Sequence, residues 1–215
     1  MKKNKLENTV HTREFSGMEI TRSASEGQSR GTIEGIAARI EEPYIMGFDD
    51  WQYMEVIKRG AFDKVLNDDV RIVFNHGNDK ILARTKSGTG EVFLTQDGHL
   101  AFRYTTPERS YAIDLEDAIA KGDVDECSFA FRVEESNWVE RDGELPTWEI
   151  VSLSILKDVG PVTYGANPGT SVNKRSAEAL KESYDNFKAS KKVKPVAKRM
   201  SNSMEIRKRQ LSLIK

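Results

Sequence analysis

Three polar residues beside apolar runs are the ones in this sequence whose types suit covalent catalysis. His76 ends the run VRIVFNH, Ser128 lies within CSFAF, and Asp158 follows the apolar-rich run WEIVSLSILK. A serine hydroxyl becomes an effective nucleophile when a base accepts its proton, and a carboxylate can orient that base and stabilise its charged form. Ser128 alternates with two phenylalanines, so we expect small residues on its strand face and room there for a substrate.

Each of these residues, taken alone, also has an ordinary structural role. His76 suits a strand-end histidine bonded to backbone, and Ser128 suits a packing or surface serine. Asp158 is either exposed at a strand end or half-buried beside a cation or an imidazole, and Glu149 competes with it as the partner of His76. Arg84 is either a surface charge or a group that helps to hold an oxyanion. The residues by themselves leave these alternatives open.

Metal and nucleotide chemistry have little support in the sequence. The three histidines, His11, His76 and His99, form no HxH, HxxxH or HExxH pair, and we interpret His11 as part of a loose N-terminal end. The single cysteine, Cys127, excludes an internal disulfide and a multi-cysteine zinc site, and it is typical of a reducing compartment. No GxxxxGK[ST] or GxGxxG motif occurs. We therefore expect no metal and no cofactor.

Length and charge favour one domain with polar ends. A chain of 215 residues suits one well-buried domain with appendages. No apolar run approaches the ~20 residues that span a bilayer, and the start lacks the apolar segment of a secretory signal, so we expect a cytoplasmic protein. The net charge of −1 hides a tail from Lys188 to Lys215 that carries +9 against −10 elsewhere. Such a tail is a solvated end, an arm that docks on something anionic, or a removable segment.

The apolar periodicity predicts about eight short strands, about two helices of several turns and one short helical segment. Residues 31–42 alternate like a strand, and SGTG and QDG turn signals separate further strands into hairpins. Ser110–Lys121 has helical spacing, with Ser110 as the N-cap and Gly122 as the stop. We also predict a short helix around 61–66 and a helix within 176–188. The fold class is therefore mainly β with flanking helices (α+β), arranged as a compact barrel or sandwich.

Several segments in a fixed order carry a resemblance to a known family. They are TIEGIAARI, GAFDKVL, NHGND, LARTKSGTGEVFLTQDGHLAF, AKGDVDECSFAFRV and LKDVGPVTYGANPGT. Across roughly Thr32 to Thr170 the chain resembles the tailed-phage prohead proteases, the serine peptidases that mature capsids. That family is similar in fold to the herpesvirus assemblins, which implies a closed, helix-flanked β-barrel.

The resemblance also implies residue roles and an activity. His76 matches the family histidine and would be the general base, Ser128 would be the nucleophile, and Asp158 would be the orienting third member. The implied activity is that of a serine endopeptidase that works through an acyl-enzyme inside the procapsid, in the host cytoplasm. Its implied partners are the scaffold, the major capsid protein and a second copy of the chain, with no membrane and no specific nucleic acid.

The resemblance suggests a division of the chain, and the chain departs from the family pattern at several positions. Residues 1–30 would be a polar arm, 31–172 the protease domain, and 173–215 a helical and then basic tail that self-cleavage removes. Ala130 stands where the family has Gly, and Gly160 where it has Ser. A rival hypothesis is an inactive barrel that serves as a scaffolding protein. Nucleic-acid binding is less favoured, because the tail after Phe187 has no aromatic residue for base stacking.

Overall fold

The computed structural model describes residues 9–15, 20–23, 30–48, 51–164 and 174–192. Within these ranges the chain forms eleven strands, two α-helices and a short 3-10 helix at Thr85–Ser87. The strands are β1 (His11–Phe15), β2 (Ile20–Ser23), β3 (Thr32–Ala38), β4 (Tyr44–Phe48), β5 (Trp51–Ile57), β6 (Arg71–Val73), β7 (Ile81–Arg84), β8 (Gly90–Leu94), β9 (Leu100–Thr105), β10 (Glu126–Val139) and β11 (Thr147–Val162). The helices are α1 (Ser110–Lys121) and α2 (Lys174–Lys192).

The strands form two sheets. One has the order β1-β10-β11-β5-β4, with β6 pairing both β11 and β7, and the other has the order β2-β3-β9-β8. The long hairpin of β10 and β11 is antiparallel from the Glu126 and Val162 pair to the Val139 and Thr147 pair, whereas β5 and β6 run parallel to β11. The prediction of a mainly β fold with helices is confirmed.

The core of the first unit lies on one face of β10. Phe129 and Phe131 alternate along this strand, and their rings stack 4.6 Å apart in buried positions. Gly35 of β3 lies so close to this face that an added Cβ would be 2.8 Å from Cys127 Sγ. The second sheet therefore lies against Cys127 at the start of β10, and Ser128, one residue further along the strand, points to the other face.

The helices agree with the sequence predictions only in part. α1 has the predicted bounds, and Gly122 ends it at φ 80° with its N–H bonded to helix carbonyls. Ser110 is not the N-cap, because Arg109 occupies that position and makes no side-chain cap. The short helix predicted around 61–66 is wrong. That segment is a series of turns closed by bonds three residues apart, such as the Ala61 N–H to the Lys58 carbonyl.

The chain divides into two compact units, Met1–Ala179 and Leu180–Lys215. The first contains the eleven strands and α1. The described part of the second is the end of α2, where the rings of Tyr184 and Phe187 lie 6.4 Å apart. α2 is longer at both ends than the predicted 176–188. Among the described residues, neither helix is long and apolar enough to cross a membrane. The domain boundaries at 30 and 172 stay predictions.

The interpretation of His11 as part of a loose end is wrong. His11 opens β1, which pairs antiparallel with β10, and the histidine is only 1% exposed. Its ring lies 5.6 Å from the rings of both Phe131 and Trp148. Burial, and next the Arg13 cation, lower the pKa of His11 to about 3. A short polar strand of this kind becomes stable only when a neighbouring strand supplies its hydrogen bonds and its apolar cover.

Two backbones come very close together at Gly160 of β11. This residue has φ 154°, and an added Cβ would lie 2.0 Å from the carbonyl oxygen of Val73 in β6. Only glycine allows the two backbones to come so near. The serine found at this position in the family pattern would not fit this geometry.

We expect Gly160→Ala to lower the free energy of unfolding by about 3 kcal/mol, because the new methyl group meets backbone that has no room to yield. Gly122→Ala is the matched control, since Gly122 also has positive φ but its Cβ would have no atom within 4 Å. That control should cost only about 1 kcal/mol, from backbone strain alone. Urea unfolding followed by circular dichroism measures both variants. Equal losses would contradict the role given to the Val73 contact.

The depressed pKa of His11 makes stability depend on pH. The folded protein keeps this imidazole neutral down to about pH 3, whereas the unfolded chain protonates it near the ordinary value of 6.5. Between these values the unfolded state binds more protons, so stability falls as the pH drops below 6.5. The loss from pH 7 to pH 5 should be about 2 kcal/mol. His11→Phe should remove that part of the slope in urea unfolding curves. An unchanged slope would show that His11 is not buried as a neutral group.

Candidate active site

The three residues singled out in the sequence lie in one hydrogen-bonded chain. His76 Nδ1 is 2.5 Å from Asp158 Oδ1, and His76 Nε2 is 2.5 Å from Ser128 Oγ. The imidazole therefore lies between the carboxylate and the hydroxyl, although Ser128 is 52 residues and Asp158 is 82 residues from His76 in sequence. The order of groups is acid, imidazole, hydroxyl.

The register of the β10 and β11 hairpin places two of the three groups side by side. Ser128 pairs with Gly160, and Ala130 pairs with Asp158. Residues two apart on a strand share a face, so Ser128 and Asp158 are diagonal neighbours on the same face of the hairpin. That face is opposite to the one that Phe129 and Phe131 bury.

A tight turn after β6 presents His76 to these two residues. Asn75 and His76 both adopt left-handed backbone conformations, with φ 53° and 54°. Asn75 holds the turn against the end of β11: its N–H donates to the Pro161 carbonyl at 3.1 Å, and its Nδ2 donates to Thr163 Oγ1 at 2.9 Å. Its Oδ1 accepts the Thr163 N–H at 2.8 Å. These bonds offset the strain of two left-handed residues in sequence.

Asn75 is a residue of the candidate site that the sequence reasoning missed. The signal was available, because asparagine is among the few residues that tolerate the left-handed region and hydrogen-bonds readily to nearby backbone. An Asn directly before the histidine and Gly77 is thus a turn signal. What could not be read from the sequence is that its partner, Thr163, lies 88 residues away.

Asp158, and not Glu149, is the acidic partner of His76. Asp158 is almost fully buried, and its second oxygen, Oδ2, is 3.4 Å from Nζ of the exposed Lys157. Glu149 lies nine residues earlier in β11, level with Asn137 and Val56. Among the described residues, no hydrogen bond joins Glu149 to His76.

Ser128 is less accessible than its sequence context suggested. The expectation that small residues on this face leave room for a substrate is wrong for this state, because β1 covers the edge of β10 and Ser128 is 0% exposed. Ser128 Oγ also lies 2.8 Å from the carbonyl oxygen of Arg13, to which it donates. The hydroxyl has one proton, so donation to Arg13 competes with donation to His76.

Arg84 is a surface charge, which is one of the two roles that the sequence left open, and its contacts do not suit the other role, that of holding an oxyanion. Its Nε donates to Asp69 Oδ1 at 2.6 Å, and its second guanidinium contact is to Asp69 Oδ2, in a part-exposed ion pair. Its backbone N–H donates to Thr89 Oγ1 at 3.0 Å and is not free to bind an oxyanion.

Cys127 is not a competing nucleophile. Burial, followed by the carboxylates of Asp125 and Glu126, raises the pKa of this thiol, which therefore stays protonated at neutral pH. Within the described ranges, no three His, Cys, Asp or Glu side chains are grouped so that they could hold a metal ion.

A serine, a histidine and an acid joined by hydrogen bonds in this order are the arrangement of the serine hydrolases, which recurs on unrelated folds. Residues 18–186 match the family described as caudovirus prohead serine protease. The chain belongs to this family of hydrolases, the serine proteases of phage capsid maturation. The resemblance found between Thr32 and Thr170 is thereby confirmed over a longer part of the chain. No curated protein and no solved structure matches the chain.

The short contact between His76 and Asp158 should have a spectroscopic signature. We expect a strongly deshielded proton on His76 Nδ1, because charge-assisted hydrogen bonds are shorter and stronger than neutral ones. Proton NMR of the protein with labelled histidine should show this signal at low field in the wild type. Asp158→Asn should abolish it, and Glu149→Gln should leave it. The reverse pattern would make Glu149 the partner of the imidazole.

Proposed function

We propose that this protein is a capsid-maturation serine endopeptidase in which Ser128 is the nucleophile, His76 the general base and acid, and Asp158 the group that orients His76. The observation that carries the proposal is the continuous chain from Asp158 Oδ1 through both nitrogens of His76 to Ser128 Oγ. Membership of the prohead protease family supports the same reaction class.

The first half-reaction forms an acyl-enzyme. Ser128 Oγ attacks the carbonyl carbon of the scissile peptide bond, and its proton passes to His76 Nε2. The electron pair of the carbonyl π bond moves to oxygen, which gives a tetrahedral intermediate. Asp158 accepts the Nδ1–H of His76, holds the ring in the tautomer that leaves Nε2 free, and stabilises the imidazolium.

The second half-reaction releases both products. His76 returns the proton to the leaving amine as the C–N bond breaks, so that an ester remains on Ser128. A water molecule then attacks the ester carbonyl while His76 takes its proton. Collapse of this second intermediate breaks the bond to Oγ, which recovers the proton from His76 and frees the carboxylic acid.

The proposed substrates are the scaffold and the segment of the major capsid protein that maturation removes, together with the protease chain itself. The proposed place of action is the procapsid inside the host cytoplasm. The family supports both. The resemblance to herpesvirus assemblins further leads us to propose that the two sheets belong to a closed barrel of that type. The +9 tail from Lys188 suits a removable segment that docks on acidic partners. Beyond residue 192 this tail lies outside the described residues.

A second candidate function is that of a capsid-assembly scaffolding protein without activity. The observation that favours it is the complete burial of Ser128, with its hydroxyl bonded to the Arg13 carbonyl. Ala130, which replaces the glycine of the family pattern, is also buried and adds a methyl group on the face of Ser128.

Intact mass distinguishes the two functions. When the protein is expressed together with a capsid protein that carries its scaffold segment, the wild-type chain should become shorter and should shorten its partner. Ser128→Ala and His76→Ala should each reduce the rate by about 10⁴-fold or more, because the members of a triad act as a unit. Ser154→Ala, which removes an exposed strand serine, is the matched control and should behave as wild type.

Equal processing by wild type and Ser128→Ala would overturn the assignment of the nucleophile. Full-length wild-type chains and an uncut partner in assembled particles would favour the scaffolding function.

A further inference from the structure

Strand β1 lies where an extended peptide substrate would bind beside Ser128. It is the outermost strand of its sheet and pairs antiparallel with β10, with Glu14 opposite Ser128. The carbonyl of Arg13 is within hydrogen-bond distance of Ser128 Oγ, and the imidazole of His76 contacts the same hydroxyl. Peptides commonly bind by adding a strand to a free sheet edge, and β1 occupies the edge of β10 in this way.

The side chain of Arg13 fills a closed acidic site. Its Nε donates to Glu55 Oε1 at 2.7 Å and its Nη2 donates to Glu55 Oε2 at 2.6 Å, in the parallel, bidentate geometry. Arg13 is 2% and Glu55 0% exposed. The Tyr44 hydroxyl also donates to Glu55 Oε1, and the guanidinium carbon lies 5.7 Å from the centre of the Phe131 ring. The carboxylate therefore binds the guanidinium on one edge, and the Phe131 ring lies near its carbon.

Stability by itself does not account well for such a pair. The free energy needed to remove two charges from water offsets much of the attraction between them. Replacement of buried ion pairs by apolar residues is therefore often neutral or stabilising. The bidentate geometry instead provides selectivity, because a planar guanidinium matches a carboxylate and a lysine ammonium does not. A buried carboxylate that holds the side chain of the residue whose carbonyl contacts Ser128 Oγ is thus suited to selecting one kind of side chain.

We propose that the site formed by Glu55 and Tyr44 is the specificity pocket of this protease. It takes the arginine side chain of an extended substrate, and β1 fills it with Arg13 in the resting state. The residue in the pocket is the one whose carbonyl adjoins Ser128 Oγ, so the bond that is cut follows the arginine. This inference rests on the proposed function and adds to it the substrate class: extended segments with arginine on the acyl side of the cleaved bond.

The same contacts explain why β1 is a placeholder and not a substrate in this state. The carbonyl oxygen of Arg13 accepts a hydrogen bond from the Ser128 hydroxyl, with 2.8 Å between the two oxygens. Attack requires instead that Oγ face the carbonyl carbon while its proton goes to His76 Nε2. A substrate therefore has to displace β1 from the edge of β10 before it can enter the pocket.

Two peptides and two variants test the inference. The peptides are extended and identical except for arginine or glutamine at the acyl-side position. Arg13→Gln weakens the placeholder, and we expect it to cleave the arginine peptide about tenfold faster than wild type. It should prefer arginine over glutamine by about a hundredfold or more, because a site built to bind a polar group rejects an analogue that lacks it. Arg13→Gln/Glu55→Gln removes both charges together and should reduce that preference to a few fold.

The controls separate folding and basic activity from the inference. Arg103→Gln breaks the exposed ion pair with Glu34 and should change neither rate. Thermal unfolding reports whether each variant folds. If Arg13→Gln does not fold, the test becomes the ratio of the cleavage rates of the arginine and glutamine peptides, compared between wild type and the double variant. Cleavage that depends on Ser128 but shows no preference for arginine in any folded variant would overturn the pocket and leave the proposed function standing. No cleavage of any peptide or capsid partner by any form would overturn both.

Discussion

The parallel pairing of β6 with β11 is the constraint on which the candidate active site depends. It sets Arg71 opposite Asp158 and Ile72 opposite Val159, and the next step brings the Val73 carbonyl against Gly160. The chain turns immediately afterwards, and the turn places His76 over the face that carries Ser128 and Asp158. Any side chain at residue 160 would separate the two backbones and move the imidazole away from its partners. The departure from the family pattern at this position is therefore consistent with the geometry around it.

Strand β1 adds a second constraint. It limits access to Ser128 and has no part in bringing the three polar groups together. The hydroxyl, imidazole and carboxylate are already joined, yet the proposed nucleophile, Ser128, is buried and its proton has a competing acceptor in the Arg13 carbonyl. Two buried residues of this strand, His11 and Arg13, anchor it through ring contacts and an ion pair. A reaction at Ser128 thus requires the loss of contacts that also hold the fold together. Conformational steps of this kind commonly limit the rate of enzymes whose chemistry is otherwise well arranged.

The family match and the geometry supply different parts of the account. The match over residues 18–186 defines the class of hydrolase, and it does not say which side chains act. The distances in the structure show that Asp158, and not Glu149, contacts His76. They also show that Asn75 holds the turn that positions His76, and that Arg84 forms a surface ion pair. Glu55 had no signal in the sequence, because a glutamate within a short alternating strand reads as a solvent-facing position. Its partners, Arg13 and Tyr44, come from two other strands.

The amino-acid sequence alone determined what depends on near neighbours. The bounds of α1, its stop at Gly122 and the alternation of β10 follow from local periodicity and backbone preference, and the order of motifs identified the family. The tertiary structure decided what depends on distant pairing. β1 is a short polar segment that becomes a strand only because β10 provides an edge. The segment around Phe62 forms turns, and the carbonyl of Ala61 accepts the Leu153 N–H of β11. The contacts among Ser128, His76 and Asp158, and those of Arg13, likewise depend on the register between strands. Register decides which side chains lie on the same face, and it cannot be read from the spacing of residues along the chain.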